Sequence, residues 1–364
     1  MDYDLKEIFG YFDAEGTYKN GEPYGSGHIH DTFRVETAEP DKDNYILQRL
    51  NTKIFKNIPE LQDNIERVTV HLRNKLKKLP GSDIKRECLK LIPSHEGKTW
   101  IVDKDGNNWR MYIFISNHNS YNFVDSPDKA FEGGKAIGRF QAMLADMPAP
   151  PLHETIPWFH NIEKRLEAFN GKIKEDPVDR VEGVRAEIKF VLERAEEMKI
   201  ILKLGNEGKI PLRITHNDTK FNNILLDEND KALCVIDLDT VMPGYVHYDF
   251  GDAIRTAANT ASEDEHELSK VKMDIKLFKA YAEGYLSETV GTLNDVEKEY
   301  LAFAPRLITY TIAVRFLTDY IDGDNYFKIH HKLHNLQRAR AQLQLVLSME
   351  EQYEEMRRII KKLT

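Results

Sequence analysis

The feature that most constrains the fold of this chain is a change of hydrophobic period close to residues 116–118. Upstream, short β-branched and aromatic runs alternate with turn residues; downstream, apolar positions recur mainly at helical spacing. Residues 4–16 read as a short helix, and Asn20, Gly21, Pro23 and Gly25 as turn residues. Strands are predicted from Gly27 to Glu36, Tyr45 to Leu50, Cys88 to Ile92, Trp100 to Asp103 and Trp109 to Ile115, with Asp105-Gly106-Asn107 turning between the last two. Leu61, Ile65, Val68, Leu72 and Leu76 predict one helix among them, over 58–76. Beyond Asn117, helices are predicted over 128–145, 158–170, 178–204, 264–288, 294–321 and 328–363, with strand-like pieces only at Ile224-Leu225 and from Leu233 to Asp237. The Pro-rich piece from Pro148 to Pro157 reads as a rigid connector. The expected class is therefore α+β and bilobal. A small antiparallel-sheet N-lobe spans 1–117, a large helical C-lobe spans 118–364, and a ligand cleft lies at the join.

A chain of 364 residues is long enough for such a unit. Its net charge of −9 argues against nucleic acid as a partner, because phosphate backbones demand a basic surface. Cys88 and Cys234 make no disulfide framework, and Cys234, inside Ala232-Leu233-Cys234-Val235-Ile236, reads as a buried reduced thiol. The start Met1-Asp2-Tyr3-Asp4-Leu5-Lys6 has no basic region followed by an apolar stretch. No apolar run approaches the roughly 20 residues a bilayer span needs. The expectation is a cytoplasmic protein, monomeric or weakly dimeric, without a membrane partner.

Chemistry concentrates in His216-Asn217-Asp218-Thr219-Lys220-Phe221-Asn222-Asn223. His216, Asp218 and Asn223 fall at the spacing of the protein-kinase catalytic loop. Phosphoryl transfer from ATP needs a base at the acceptor hydroxyl, ligands for Mg2+, positive charge at the moving group and a loop over the phosphates. Asp218 suits the base, with His216 beside it, and Lys220 suits the charge near the γ-phosphate. Ile224-Leu225-Leu226, the turn Asp227-Glu228-Asn229-Asp230 and the run from Ala232 to Ile236 predict a hairpin ending in Asp237. Asn223 and Asp237 then form the expected metal pair, since Mg2+ takes few protein oxygens. Asp249-Phe250-Gly251 spells another kinase tripeptide, but it comes too late to close the hairpin, so Asp249 is assigned a structural role bracing the loop. Asp239 is expected either to touch substrate or metal, or to sit as a solvated turn residue. Gly25, Ser26 and Gly27 form a turn whose backbone can approach phosphates. On the strand Tyr45-Ile46-Leu47-Gln48-Arg49 the phosphate-facing cation is taken as Arg49, with Gln48 as the alternative and Glu66 as a candidate helix partner. Adenine is expected against the backbone from Phe114 to Asn117, including Ile115.

The catalytic octapeptide, Val235-Ile236-Asp237-Leu238-Asp239-Thr240-Val241-Met242-Pro243-Gly244 and Asp249-Phe250-Gly251-Asp252-Ala253-Ile254-Arg255 resemble the aminoglycoside phosphotransferase and choline kinase superfamily. Within it they look closest to the N-acetylhexosamine 1-kinases. Tyr24-Gly25-Ser26-Gly27-His28-Ile29, Tyr45 to Asn51, Gly138-Arg139-Phe140 and Arg315-Phe316-Leu317-Thr318-Asp319-Tyr320 extend the likeness over nearly the whole chain. The resemblance implies a protein-kinase-like fold and ATP-dependent transfer to the C1 hydroxyl of GlcNAc or GalNAc. It also implies Asp218 as base and Asn223 and Asp237 as Mg2+ ligands. For the sugar pocket it points to Arg315 and Tyr326, with His28 above. Arg315 lies in the apolar stretch from Leu307 to Tyr320, where the alternative is an ion pair with Asp319 or Asp249. Tyr326 and Phe327 either stack on a sugar or pack a core.

His330 and His334 share a helical spacing but lack a third metal ligand, and read as an amphipathic helix. Glu263-Asp264-Glu265 reads as a solvated helix start. Competing functions are transfer to another small alcohol, of the aminoglycoside, choline or homoserine type, and a nucleotide-binding pseudokinase. Intact Asp218, Asn223 and Asp237 weigh against the second.

Overall fold

Five strands form one antiparallel sheet in the computed structural model, which describes residues 3–25, 29–148 and 151–364. They are β1 (Tyr18–Pro23), β2 (Asp31–Thr37), β3 (Tyr45–Arg49), β4 (Ile101–Val102) and β5 (Asn108–Ile113), in the order β1-β2-β3-β5-β4. Inward residues of period two, Val35, Tyr45, Leu47, Trp109 and Met111, meet Ile8 and Phe9 of α1 (Leu5–Phe9) to make the core of this unit. The helix expected over 4–16 is thus a short one, capped by Asp4. The residues read as turn formers, Asn20, Gly21 and Pro23, lie in β1. An edge strand pairs on one side only, so it accommodates both a proline and a glycine. The strand expected from Cys88 to Ile92 is absent. The helix α3 (Ile84–Glu87) runs up to it, and only Leu91 bridges to the sheet, at Tyr112.

The helix α2 (Ile58–Leu76) starts behind the Asn57 cap and buries Leu61, Ile65, Val68, Leu72 and Leu76. Asn64 on its buried face holds two distant segments. Its Nδ2 donates to the carbonyls of His153 (2.8 Å) and Val241 (3.1 Å), and its Oδ1 accepts from the His153 amide at 2.8 Å. One compact unit therefore comprises Met1–His118, Met147–Ile156 and Leu233–Met242. A single cut at 117/118 does not describe this, because a buried amide that satisfies its partners at long range leaves no sequence pattern.

The second unit comprises Asn119–Asp146, Pro157–Ala232 and Pro243–Thr364. Its long helices are α4 (Pro127–Leu144), α5 (Ile162–Glu175), α6 (Arg185–Arg194), α7 (Ile200–Asn206), α8 (Val246–Ala257), α9 (Ile275–Thr289), α10 (Asp295–Glu299), α11 (Ala304–Ile321), α12 (His334–Glu351) and α13 (Tyr353–Leu363). Three of the expected long helices are broken: 178–204, which opens on a 3-10 turn at Glu182–Val184, by a second 3-10 turn at Glu197–Lys199, 294–321 between α10 and α11, and 328–363 at Gln352. Short strands β6 (Arg213–Thr215) and β7 (Ile224–Leu226) carry its intervening loops, while β8 (Ala232–Val235) and β9 (Met242–Gly244) lie where the chain passes from one unit to the other. α4 and α9 cross at glycine notches: a Cβ on Gly134 would lie 2.1 Å from the Tyr281 carbonyl oxygen, and one on Gly284 1.9 Å from that of Phe131. α11 is the central helix, buried all round except at Arg315 and Thr318. No helix among the described residues is long and apolar enough to cross a membrane.

Candidate active site

The loop after β6 is built around one left-handed residue. Asn217 has φ of 67°, a conformation that asparagine tolerates better than most residues. Its amide donates to Asp249 Oδ1 at 2.6 Å and the His216 amide to Asp249 Oδ2 at 2.9 Å. Asp249, in the first turn of α8, also accepts from Gln141 Nε2 at 2.6 Å, and Tyr285 donates its hydroxyl to Gln141 Oε1 at 2.5 Å. Thr219 Oγ1 donates to the Asp249 carbonyl at 2.6 Å. Three helices, α4, α8 and α9, thus converge on one carboxylate that fixes the loop backbone. Burial raises the Asp249 carboxyl above its usual range, although His216 and the two amides pull against that. Gln141 and Tyr285 escaped the sequence reading.

His216 is fully enclosed. Its residue exposure is 0%, its ring meets the Phe140 ring edge-on at 5.9 Å, and its Nδ1 lies 3.3 Å from the Asp218 amide. A wholly enclosed ring in these contacts is placed to support the loop backbone. His160, from the segment before α5, supports the same loop by donating Nε2 to the Asn217 carbonyl at 2.7 Å. Burial, reinforced by the Arg315 and Arg165 charges, pushes the His160 ring down to about 3, so it stays neutral.

Asp218 and Lys220 form a partly exposed ion pair on the loop. Their side chains are 26% and 43% exposed, and Lys220 Nζ lies 3.0 Å from Asp218 Oδ1. Burial alone would raise the Asp218 carboxyl, but Lys220, followed by His216 and Arg255, holds it below the usual carboxylate range. Asp218 in turn raises the Lys220 ammonium. Asn223 Nδ2 donates to the Asp218 carbonyl at 2.8 Å, which turns its Oδ1 the other way. Behind this pair, Arg255 links Asp252 Oδ1 (2.8 Å) to Glu263 Oε1 (2.6 Å). Glu263 is therefore an ion-pair partner and not a solvated helix start; Asp264 likewise meets His334 at 3.2 Å.

In the first unit, Asp237 is exposed and left-handed, with φ of 61°. Asp239 is not a solvated turn residue but is buried. Both its oxygens are taken by the Arg110 guanidinium, which is 1% exposed, and His30 Nε2 lies 3.1 Å from Oδ2. His30 Nδ1 accepts from the Asn51 amide at 3.0 Å, which leaves the proton on Nε2 facing Asp239. Arg110, followed by His30, holds the Asp239 carboxyl far below the usual range against the cost of its burial. Gln48 Oε1 accepts from Arg110 Nε at 2.9 Å, so the buried cation of this sheet face is Arg110 on β5. Arg49 points to the other face of β3. It pairs with Asp31 at 2.5 Å and lies 5.6 Å from the Tyr3 ring, while Glu66 is exposed on α2. Strict alternation along β3 separates Gln48 from Arg49. Arg110 went unread because its partner is 129 residues away.

Of the expected nucleotide loop, Ser26, Gly27 and His28 lie outside the described residues; Gly25 is exposed with φ of 79°. Ile115 is buried, and its carbonyl accepts from His118 Nδ1 at 2.6 Å. Arg315 pairs with neither Asp319 nor Asp249. Asp319 accepts from the amides of Tyr326 (2.7 Å) and Phe327 (2.9 Å), and so clamps the loop that presents Tyr326.

The fold is that of known small-molecule kinases. The chain is similar to a microcompartment-associated aminopropanol kinase, with a TM-score of 0.63 and 15% identity over 97% of each chain. It is also similar to a spectinomycin phosphotransferase bound to ADP and spectinomycin, at 0.58 and 13% over 96% of this chain and 98% of that one. A third likeness is to an amicoumacin kinase in complex with AMP-PNP and Ca2+, at 0.57 and 13% over 99% of this chain and 94% of that one. At such identities the likeness establishes the protein-kinase-like α+β fold. The model of the phosphotransferase enzyme family matches residues 20–286, most of the chain, and the protein belongs to that family.

Proposed function

We propose that this protein transfers the γ-phosphoryl group of ATP, with Mg2+, to the anomeric C1 hydroxyl of an N-acetylhexosamine such as GlcNAc or GalNAc. The observation that carries the reaction class is Asp218: a partly exposed carboxylate on a rigid loop, kept ionised by Lys220 at 3.0 Å. The acceptor rests on the resemblance of the catalytic loop, of Val235 to Gly244 and of Arg315 to Tyr320 to the N-acetylhexosamine 1-kinases. An anomeric hydroxyl is also more acidic than other sugar hydroxyls, so a carboxylate base suffices.

In this reading Asp218 takes the C1 hydroxyl proton as that oxygen bonds to the γ-phosphorus. The bond from phosphorus to the bridging oxygen breaks, and ADP leaves. Lys220 offsets charge on the transferred group. Asn223 and Asp237 are the residues that would hold Mg2+. Asn223 fits, because its Nδ2 is committed to the Asp218 carbonyl and its Oδ1, the atom a hard cation takes, has no protein hydrogen bond among the described residues. The metal, when bound, neutralises phosphate oxygens. The amicoumacin kinase, bound to AMP-PNP and Ca2+, supports a nucleotide and a divalent ion for the shared fold.

Lys220→Met is expected to lower kcat about 10²–10³-fold, the usual loss for one electrostatic contact to the transition state. It also frees Asp218 from the cation that holds its carboxyl down. Asp218 acts ionised, so the acid limb of the kcat/KM profile moves to higher pH in this variant; an unmoved limb refutes the pairing. The acceptor is tested by supplying Mg-ATP with a panel of free sugars and reading the product by phosphorus NMR. A phosphate on C1 of GlcNAc or GalNAc supports the proposal, whereas one on C6, or no turnover of hexosamines, overturns it.

A further inference from the structure

Most arginines in the interior of the second unit have carboxylate partners. Arg180 meets Asp324, Arg194 and Arg306 share Glu350, Arg213 meets Glu297, and Arg255 meets Asp252. Arg165 and Arg315 meet none among the described residues, and they are neighbours. Arg165 donates Nε (3.3 Å) and Nη2 (2.8 Å) to the Phe159 carbonyl and leaves Nη1 unused. The Arg315 guanidinium makes no hydrogen bond at all among the described residues. It sits between three rings, 5.2 Å from Phe159, 5.7 Å from Tyr326 and 5.4 Å from Phe327. The one acid close to it in sequence, Asp319, is saturated by the amides of Tyr326 and Phe327 and by Asn335 Nδ2 at 2.8 Å.

Burial, together with the Arg315 charge, pushes the Arg165 guanidinium down to about 10. The place is reachable, since Tyr326 is 58% exposed and Trp158 54% exposed. It also borders the reactive loop. Both arginines act electrostatically on His160, which is bonded to the Asn217 carbonyl one residue before Asp218. A neutral hydroxyl can accept from these guanidinium groups but leaves both charges uncompensated; a carboxylate or phosphate compensates them and can bind bidentately.

We infer that Arg165 and Arg315 form a subsite for an anionic group on the acceptor, so that the preferred acceptor is an acidic sugar, carrying a carboxylate or a phosphate remote from C1. This rests on the sugar-kinase reading above and moves its preferred acceptor from the neutral sugars to acidic ones. The same two charges disfavour cationic alcohols of the choline or aminoglycoside type.

The test uses two matched pairs under Mg-ATP, N-acetylglucosamine against its 6-phosphate and glucose against glucuronate. The anionic member of at least one pair is expected to have a KM about ten-fold lower or better, the discrimination of a single charge-assisted contact. Arg165→Gln should bring that ratio close to one, and Arg165→Lys, which keeps the charge, should preserve most of it. Equal or higher KM for both anionic members, or an unchanged ratio in Arg165→Gln, overturns the inference. If Arg165→Gln does not fold, the wild-type ratio and Arg165→Lys decide. If no member of either pair is phosphorylated, the sugar-kinase reading has failed, and calorimetric binding of the same four compounds decides this inference separately. Tighter binding of N-acetylglucosamine 6-phosphate or glucuronate than of the neutral partner sustains it, and equal or absent binding overturns it.

Discussion

Asp218→Asn is expected to lower kcat by about 10²–10⁴-fold, the range a positioned general base supplies, while nucleotide affinity stays within a few-fold. The two halves of that expectation come from different atoms. Catalysis needs the carboxylate, which the Lys220 charge keeps ionised and which asparagine cannot replace as a proton acceptor. The shape of the loop depends on the backbone of residue 218. Asn223 Nδ2 donates to its carbonyl, and its amide faces His216 Nδ1. Asparagine keeps both and matches aspartate in size, so the variant removes chemistry and leaves architecture. Near-normal turnover in single-turnover experiments would sink the proposed role of Asp218. A pseudokinase reading fails equally if the wild-type protein turns over and this variant does not.

What could be read from the sequence was local. Asp218, Lys220 and Asn223 share one loop, and their spacing alone suggested a base, a cation and a metal ligand. Helix α2 was legible to the residue, because Leu61 to Leu76 repeat at helical period. What stayed hidden was set by tertiary partners. β1 contains Asn20, Gly21 and Pro23, whose turn preferences are overridden by pairing with β2 at a sheet edge. The long periodic run over 178–204 keeps its apolar period yet divides at the 3-10 turn Glu197–Lys199. Within the first unit, Arg110 and Asp239 satisfy each other across 129 positions; within the second, Asp319 spends its carboxylate on Tyr326 and Phe327 instead of on Arg315, four residues before it. Arg165 had no motif at all. Its meaning comes only from what surrounds it.

Asp249→Ala is expected to destabilise the fold by roughly 3–6 kcal/mol and to lower kcat by a factor comparable to that of Asp218→Asn. The stability figure follows from three buried donors left without an acceptor, the His216 and Asn217 amides and Gln141 Nε2, at about 1–3 kcal/mol each, less the relief of a carboxylate that burial already disfavours. The activity loss follows from Asn217. Its left-handed backbone, φ 67°, is held by the Asp249 bond at 2.6 Å, and releasing it moves Asp218, the next residue. Urea unfolding of the two variants separates their roles: Asp249→Ala shifts the midpoint to much lower urea, whereas Asp218→Asn leaves it nearly unchanged. The alternative, that Asp249 of the Asp249-Phe250-Gly251 tripeptide ligates the metal, makes the opposite forecast. A ligand's loss would weaken the Mg2+ dependence of nucleotide binding with little effect on the midpoint. Asp249 is 0% exposed and its oxygens already accept from three donors. A carboxylate so enclosed has no lone pair directed at a cation in solution, so the large effect should appear in unfolding and the metal dependence should survive in whatever fraction remains folded.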